Sequence, residues 1–573
     1  MDRPEGLSLQ ASLSKWEMQF PPLEKRGRGD LNGDIQVTSI KHLTGLLILI
    51  IAFSLSGCSS GVDNEMFPKY GLAEGDVIRV EITGTFGNTE WAEGQLYKKA
   101  ALDTGTTMQL SLVGYDIEGV VSASLNAAWS SNNEEVAVVD REGTVTAVSA
   151  GDALVTVELR TDTDLVLTDT IDLTVLPSPV TGKQWIIKKT SLPQAIWDHA
   201  SAIWNGNLYV AGGNSSCISN SGTGCGFSDK VYYAPIDKAD GSIGTFTNVS
   251  SLPAYLRGHS LSAYNGYLYV TGGIVQPTFS EPPYPDPLNF KTILNEKVYY
   301  ALVNPDGSLG KWNIAALLPP PEDRDVPIPP DKTGLFALSA SVHTALSSDG
   351  TKKGYIYVTG GWSGELNKNV NKVIIGPIDD SDGKIGPWIH NDLFNLPYDL
   401  SKHTSVVATV NGNNYLYVIG GNSGSYGSQV FHHEVLYAKI AEDGILSQTE
   451  TNGKLSTWHF ASKSLPLQLI DHASVSTGRY IFVIGGRDGV EGNNDYVEEY
   501  HKSNNIISFY IEDSGDIQLL QRYIDLPEPL FHHAAAADTN ETAVNIYITG
   551  GAGGNTTEPE NRKNSVYHFS AAQ

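Results

Sequence analysis

Six short apolar runs, each closed by two glycines, recur along the chain from residue 208 onward. Within each run β-branched and aromatic residues have the composition of a buried strand, and the glycine pair permits a positive φ or a close backbone approach. The copies are LYVAGG at 208–213, LYVTGG at 268–273, IYVTGG at 356–361, LYVIGG at 416–421, IFVIGG at 481–486 and IYITGG at 546–551. Repetition at intervals of roughly 60–90 residues predicts an all-β architecture of sheets repeated around an axis.

The residues around each run predict a four-stranded antiparallel meander. A Leu-Pro pair precedes a small-residue strand that opens with histidine, as in SLPAYLRGHSLSAY at 251–264. An aromatic strand such as VYYALV at 298–303 follows most runs, and an Asp-Gly turn leads on to a further strand. Asp-Gly between apolar runs is a hairpin signal. Each repeat should therefore contain strands a (from the histidine), b (ending in Gly-Gly), c (aromatic) and d (up to Leu-Pro).

The two ends of the repeat region are complementary. From Gln184 the chain reads QWIIKKTSLP, the pattern of a strand d with no a, b or c before it. The sixth repeat supplies only a, b and c, the last of them at 565–570. Pairing of these ends would complete six sheets and leave no open sheet edge.

Residues 184–573 resemble kelch-type β-propellers. The features that carry the resemblance are the glycine pairs, the aromatic strands c, and the strand-d residues Trp312, Trp388 and Trp458. Phe246 in place of tryptophan and an irregular fifth repeat are departures from the pattern. The resemblance implies a six-bladed propeller.

Residues 76–176 form a separate predicted β domain, joined to the repeats by a Pro-containing linker at 177–183. Its stretch 127–159 resembles the bacterial immunoglobulin-like group 2 (BIG2) module, which is widespread in intimin- and invasin-type surface proteins. The matching residues are Trp129, Ser130, Ser131, Asn132, Val136, Ala137, Val139, Gly143, Val145, Ala147, Gly151 and Ala153. The resemblance implies an Ig-like β-sandwich with Trp129 in its core, acting as a spacer or as an adhesive module.

The start of the chain has the pattern of an export signal. Residues 1–36 show no hydrophobic periodicity and are interpreted as a disordered extension or a mis-assigned start, and 37–57 as a signal peptide that is short for a membrane span. Leu-Ser-Gly-Cys at 55–58 resembles the bacterial lipobox, which implies lipidation of Cys58 and a tether at 59–75. An uncleaved membrane anchor is the alternative. Both interpretations place the rest of the protein in the cell envelope, outside the cytoplasm.

Charge and cysteine content narrow the function further. A formal net charge of −26 over 573 residues argues against nucleic acid and against docking on anionic lipid, so membrane contact is expected through the anchor only. Cys217 and Cys225 lie in a Gly/Ser-rich loop of an exported chain, which predicts a disulfide, with two free thiols as the alternative.

One histidine per repeat is expected near one mouth of the central channel, because strand a of a propeller lines that channel. These residues are His199, His259, His343, His403, His472 and His533. A ring of imidazoles could bind a metal or an anion. Repetition favours a structural role in contact with the neighbouring blade or the Leu-Pro turn, so no metal or cofactor is predicted.

Two long Pro-rich loops, at 274–297 and between Pro319 and His343, should emerge on the same face of adjacent blades. Long loops on one rim of a rigid scaffold are where binding is usually located. The predicted recognition residues are Tyr284, Phe290, Arg324, Asp325 and Phe336. The alternative is that these loops are decorations or contacts to the first domain.

The preferred hypothesis is therefore a lipid-anchored surface protein whose propeller binds a glycan or a protein. The alternative is an enzyme that resembles the six-bladed kelch-type sialic acid mutarotases, for which Arg257, Arg487 and Glu365 lie on the expected face. No sequence motif of a serine hydrolase is present.

Overall fold

The first part of the described chain is a β-sandwich. The computed structural model describes residues 77–84, 89–92, 95–116, 120–122, 125–161, 165–178, 190–215, 226–276, 293–320, 334–346, 352–364, 366–424, 430–451, 454–488, 501–523, 525–539, 543–553 and 561–572. The sandwich strands are β1 Arg79–Gly84, β2 Thr89–Ala92, β3 Gln95–Asp103, β4 Thr107–Tyr115, β5 Val120–Ser122, β6 Ala128–Ser131, β7 Ala137–Val139, β8 Thr144–Ala147, β9 Gly151–Arg160 and β10 Val166–Leu176. One sheet has the order β1-β4-β8-β7 with β5 beside β4, and the other has the order β2-β3-β10-β9-β6.

Inward-facing residues of both sheets make the sandwich core, as the alternating burial of β4 and β9 shows. Val155, Val157 and Ile171 are almost fully buried there, and Trp129 packs against them while partly exposed. Lys98 is buried as well. Its Nζ lies 2.6 Å from Asp169 Oδ2 and donates to the carbonyl of Ile82 at 2.8 Å, so the buried charge is compensated.

Beyond residue 190 the structure contains six separate antiparallel sheets, named I to VI. Sheet I has strands Ala200–Trp204, Asn207–Ala211, Val231–Pro235 and Thr247–Asn248; sheet II has Ser260–Tyr264, Tyr267–Thr271, Lys297–Leu302 and Asn313–Leu317; sheet III has Ser339–Leu346, Lys352–Thr359, Val373–Ile378 and Ile389–His390. Sheet IV has Thr404–Val410, Asn413–Ile419, Val435–Ile440 and His459–Phe460; sheet V has Ala473–Thr477, Tyr480–Ile484, Ile506–Ile511 and Ile517–Arg522; sheet VI has Ala534–Thr539, Ala543–Thr549 and Val566–Ala572. The all-β fold class is confirmed.

Short ribbons lie beside these sheets. They are Ile196–Trp197 with Asn214–Ser215 and Gly226–Phe227, Leu256–Arg257 with Ile274–Val275 and Ile293–Leu294, Trp362–Ser363 with Lys368–Asn369, Asn422–Ser423 with Val430–Phe431, Thr449–Thr451 with Lys454–Ser456, and Arg487–Asp488 with His501–Lys502. A 3-10 turn covers Asp392–Phe394. Among the described residues, no helix is long and apolar enough to cross a membrane.

The six sheets follow one another in a cyclic order. The first strand of each sheet packs beside the first strand of the next, and that of sheet VI packs beside that of sheet I. The second glycine of each pair donates its amide hydrogen to a carbonyl in the loop that enters the next sheet, at 2.7 to 2.9 Å. The donor and acceptor pairs are Gly213 and Leu256, Gly273 and Leu335, Gly361 and Leu400, Gly421 and Leu469, Gly486 and Leu530, and Gly551 and Ile196.

Residues 190–196 lie against sheet VI. The amide of Leu192 donates to the carbonyl of Asn564 at 2.8 Å, and that of Ile196 donates to Lys563 at 3.0 Å. The other leucines of the Leu-Pro pairs make the same bond within their own sheets, namely Leu252 to Asp229, Leu318 to Glu296, Leu396 to Asn371, Leu465 to His433 and Leu526 to Asn504. Residues 184–189 lie outside the described residues, so their pairing as a fourth strand stays a prediction.

The sandwich touches sheets IV and V through polar side chains. Lys99 Nζ donates to Ser464 Oγ at 2.9 Å, Lys463 Nζ lies 2.7 Å from Asp152 Oδ2, and Arg522 pairs with Asp103. A cleft of about 420 Å³ remains between the two parts.

Candidate functional site

A circle of six residues surrounds the axis where the loops enter the inner strands. We call these residues the mouth circle: Asp198, Gly258, Ala337, Lys402, Asp471 and His532. The amide of each donates to the carbonyl of the one before it, at 2.8 to 3.4 Å, and the amide of Asp198 closes the circle on His532. All six have φ between 52° and 59°. That left-handed conformation costs a non-glycine residue about 1–2 kcal/mol, and the closed set of hydrogen bonds holds it.

One half of the mouth circle is charged. His532 Nδ1 lies 2.6 Å from Asp198 Oδ1 and 3.2 Å from Asp471 Oδ1. Each carboxylate also has an arginine, since Arg257 donates to Asp198 Oδ2 at 2.9 Å and Arg487 donates to Asp471 Oδ2 at 2.7 Å. The result is a continuous network Arg257–Asp198–His532–Asp471–Arg487.

These neighbours keep both carboxylates ionised. Burial on its own raises the pKa of Asp471, but the charges of His532 and Arg487 outweigh burial and leave the pKa well below its ordinary value. The pKa of Asp198 is lowered in the same way, by His532 and Arg257 against burial. The mouth therefore contains buried charged side chains. Burying a charge costs free energy unless the charge is paired, and here each carboxylate is paired with His532 and with an arginine.

The other half of the mouth circle is open. Gly258 and Ala337 present little or no side chain, and Lys402 completes this half. A Cβ on Gly258 would lie 2.1 Å from Cε2 of Phe336, so the glycine makes room for that ring. A depression of about 150 Å³ lies here, lined by Asp198, His199, Gly258, His259, Phe336, Ala337, Leu338, Lys402, His403, Asp471, His472, His532 and His533.

Aromatic rings support the arginine beside the depression. The Cζ of Arg257 lies 5.4 Å from the ring of Trp197, 5.0 Å from that of Phe227 and 5.5 Å from that of Phe336. Within the described residues, Arg257 Nε and Trp197 Nε1 are buried with no hydrogen-bond partner. Both donors are buried away from solvent and neither residue lines the depression, so they belong to the packing behind the mouth.

Five of the predicted histidines line the mouth, but as neutral packing groups. Burial lowers the pKa to about 3 for His199, His403 and His533 and to about 4 for His259 and His472. His199 Nε2 is 2.8 Å from Thr549 Oγ1, and His403 Nε2 is 2.8 Å from Thr359 Oγ1, each at the end of strand b of the preceding sheet. Through these contacts each histidine joins its own sheet to the sheet before it.

The sixth histidine was assigned wrongly. His343 lies inside strand a of sheet III, opposite Tyr355, and does not reach the mouth. Leu338 occupies the position that histidine holds in the other sheets, directly before the strand. In sheet III the side chain of Leu338 therefore takes the place of the histidine side chain. A search for histidine could not find this position, and it selected His343, five residues later, instead.

Of the predicted recognition residues, Phe336 lies at the mouth. Tyr284, Phe290, Arg324 and Asp325 lie outside the described residues, as do Glu365, Cys58, Cys217 and Cys225. Among the described residues, no group of three His, Cys, Asp or Glu side chains is placed to hold a metal ion.

Sequence analysis missed Asp198, Asp471 and His532. The signal was available, because each directly precedes the histidine of its repeat. When the repeats are aligned on that histidine, the residue before it differs in charge from one repeat to the next. A polar position that varies while its surroundings repeat is typical of a site that faces a ligand.

Comparison with protein families matches residues 97–165 to the bacterial Ig-like domain (group 2), which confirms the resemblance of 127–159. Such domains are typical of bacterial surface proteins, which is compatible with a location outside the cytoplasm. A search of curated proteins returns no match. One similar solved structure is titled "Structure of YjhT"; it shares 13% identity with a TM-score of 0.41, over 67% of this chain and 99% of that chain. A similarity that weak supports no conclusion about function.

Proposed function

We propose that this protein is a lipid-anchored surface protein that binds a glycan or a protein ligand at the mouth circle. In this proposal residues 184–573 are a six-bladed kelch-like β-propeller and 76–176 an Ig-like spacer or adhesive module. Residues 37–57 are the signal, with Cys58 as the lipidated residue and 59–75 as the tether. Cys217 and Cys225 form a disulfide in the same proposal.

The cyclic order of sheets I to VI supports the propeller. The backbone hydrogen bond from Leu192 to Asn564 also supports the propeller. Five other leucines make the equivalent bond within their own sheets, and Leu192 makes it between the two ends of the repeat region. A ring closed by its own first segment leaves no exposed edge strand at the junction.

The observation that carries the binding proposal is the charged network beside an open, aromatic-edged depression. Asp198 and Asp471 line the depression as acceptors, and the ammonium group of Lys402, which lines the same depression, is a donor. Phe336 provides an apolar face on the open side. Hydroxyl groups need acceptors and donors together, and sugar C–H faces pack on aromatic rings, so this combination favours a glycan.

A second candidate function is sugar mutarotation or epimerisation at the same place. His532 between two carboxylates favours it, because an imidazole held by fixed acceptors is a common acid–base group. The two candidates differ in whether the bound sugar is turned over.

A glycan array with the purified protein, together with NMR measurement of sialic acid anomer exchange, tests both. Binding without faster exchange supports the recognition protein, and faster exchange supports the enzyme. Phe336→Ala should weaken binding about tenfold or more, since loss of an aromatic anchor costs at least about 1.4 kcal/mol. Phe460→Ala is the control, because Phe460 is 56% exposed on the last strand of sheet IV. Binding that is unchanged in Phe336→Ala contradicts the proposed site.

A further inference from the structure

Ser423, His432 and Glu434 form a hydrogen-bonded line on the rim of sheet IV. Ser423 Oγ lies 2.8 Å from His432 Nε2, and His432 Nδ1 lies 3.1 Å from Glu434 Oε2. Ser423 ends the strand Asn422–Ser423, which pairs with Val430–Phe431, and His432 follows directly. The chain therefore brings a hydroxyl, an imidazole and a carboxylate into the order hydroxyl, imidazole, acid.

The carboxylate of Glu434 orients the imidazole of His432 through its contact with Nδ1. Burial raises the pKa of Glu434, but the hydrogen bond and charge of His432 outweigh burial and bring that pKa to about 2. In the neutral tautomer that donates its Nδ1 hydrogen to Glu434, Nε2 is the atom that accepts the hydroxyl hydrogen of Ser423. The ring of Tyr398 stacks on His432 with centroids 4.2 Å apart and 6° between planes, so the imidazole cannot tilt freely.

The backbone of the serine is held equally firmly. Asn422 exchanges backbone hydrogen bonds with Ser401, and Ser401 Oγ donates to Asn422 Oδ1 at 3.1 Å. Asn369, from the neighbouring sheet, donates its side-chain amide to the carbonyls of Asn422 and Gly424. Ser423 itself is partly exposed, so a substrate can approach a hydroxyl that is already positioned.

Comparison with the other sheets separates this group from the repeated frame. The backbone bond from His432 to Gly421 recurs in every sheet, for example from Ser228 to Gly213 in sheet I. Sheet I also has the same Asn-Ser pair, but Ser228 and Lys230 stand where sheet IV has histidine and glutamate. Its serine, Ser215, bonds to the carbonyl of Gly226 instead. Repetition of the fold does not account for the side chains at 432 and 434.

We propose that Ser423, His432 and Glu434 are an acyl-transfer site that hydrolyses carboxylic esters. Ser423 Oγ bonds to the ester carbonyl carbon while its proton passes to His432 Nε2. The ester C–O bond then breaks, and the leaving alkoxide takes that proton and departs as an alcohol. Water repeats the sequence on the acyl-serine and releases a carboxylic acid, so nothing is oxidised or reduced. Ser423 and His432 are the catalytic residues, and Glu434 is a positioning residue.

This site is separate from the mouth circle and goes beyond the proposed function. Loss of ester hydrolysis with ligand binding intact, or the reverse, would show which of the two proposals fails.

The test treats the purified protein with diisopropyl fluorophosphate and locates the adduct by peptide mass spectrometry. Hydrolysis of p-nitrophenyl acetate is measured in parallel. We expect the phosphoryl adduct on Ser423, and a rate that falls about a hundredfold or more in Ser423→Ala, His432→Gln and Glu434→Gln. Ser215→Ala is the matched control and should keep both the adduct and the rate.

Thermal unfolding checks that each variant is folded. A folded wild-type protein with no adduct on Ser423 overturns the proposal. So does an adduct that forms on Ser423 at the wild-type rate in folded His432→Gln, because the serine would then need no base. A hundredfold loss of labelling in both His432→Gln and Glu434→Gln supports the relay and excludes a serine that is merely exposed.

Discussion

Single residues explain why glycine pairs and histidines recur together. A Cβ on Gly212 would lie 2.4 Å from Cε1 of His259 in the next sheet, and a Cβ on Gly213 would lie 2.8 Å from Cβ of His199 in its own sheet. The same contacts recur around the ring, with Gly550 against His199 and Gly485 against His533. The sequence predicted positive φ or close approach at these glycines, and both are observed, with φ of 64° at Gly212.

This packing predicts a difference between two glycines with similar backbones. Gly412 has a φ of 77° but nothing within 4 Å of an added Cβ, whereas Gly212 faces His259. Gly412→Ala should therefore cost only the conformational term of about 1 kcal/mol. Gly212→Ala should cost about 2 kcal/mol more, because the neighbouring sheet must move. Urea unfolding of the two variants measures both losses, and equal losses would contradict the packing argument.

At the scale of the element, the histidine before strand a acts as a plug between two sheets. Leu338 shows what the position requires, since Gly272 faces its Cδ2 at 2.4 Å just as Gly212 faces His259. The plug therefore needs shape and burial, and not charge. This is why sequence alone placed His343 wrongly. The prediction looked for a histidine in each repeat, whereas the fold requires only a side chain that fills this position.

The plugs make stability depend on pH. The unfolded imidazole has a pKa of 6.5 and the folded one of about 4 in His259, so below pH 6.5 only the unfolded state takes up the proton. Stability is fully present above pH 6.5 and falls as the pH drops toward 4. At pH 5 each such histidine should lower the free energy of unfolding by about 2 kcal/mol.

Substitution of one plug tests that dependence. His259→Leu copies the natural Leu338 and should change stability at pH 7.5 by less than about 1.5 kcal/mol. Relative to its own value at pH 7.5, the variant should lose about 2 kcal/mol less than the wild type at pH 5. Urea unfolding at several pH values gives both curves. Parallel curves would mean that the pKa of His259 is the same in the folded and unfolded states, which contradicts the prediction.

At the scale of the whole molecule, hydrogen bonds from one sheet to the next hold the six sheets in their cyclic order. Buried tyrosines of strand b donate to the hairpin glycine of the next sheet, as Tyr209 does to Gly307 at 2.8 Å and Tyr547 does to Gly241 at 2.9 Å. In sheet V the same position is Phe482, which lies against Tyr523. In the proposed closure the fourth strand of sheet VI comes from residues 184–190, so sheet VI would have no hairpin between its third and fourth strands. A tyrosine in place of Phe482 would then have no hairpin carbonyl to donate to.

Matched leucines test the closure. Leu192 and Leu252 are both almost fully buried and make the same backbone bond, one across the ends of the ring and one within sheet I. Leu192→Ala and Leu252→Ala should each destabilise the protein by about 2–5 kcal/mol, as buried leucines do. Urea unfolding compares them. A loss below about 1 kcal/mol for Leu192→Ala alone would mean that this segment does not seal the ring.

Sequence patterns predicted the repeated frame better than the sites on it. The glycine pairs, the Leu-Pro turns and the strand order follow from short-range signals that recur six times. The charged half of the mouth and the line from Ser423 to Glu434 join residues from different loops or ribbon strands, and each occurs once. A repeat pattern cannot predict contacts that occur in one repeat only, because such contacts depend on which side chains the folded chain brings together.

The mouth circle has a consequence for specificity. Each of its six amide hydrogens is already committed to the neighbouring carbonyl, so the main chain has no free N–H to offer an arriving anion or hydroxyl. Selectivity must then come from side chains, both those of the mouth circle and those beside it such as Phe336. A library randomised at 198, 337, 402, 471 and 532, with Gly258 retained beside Phe336, would change the chemistry of the opening while the circular backbone beneath it stays constant.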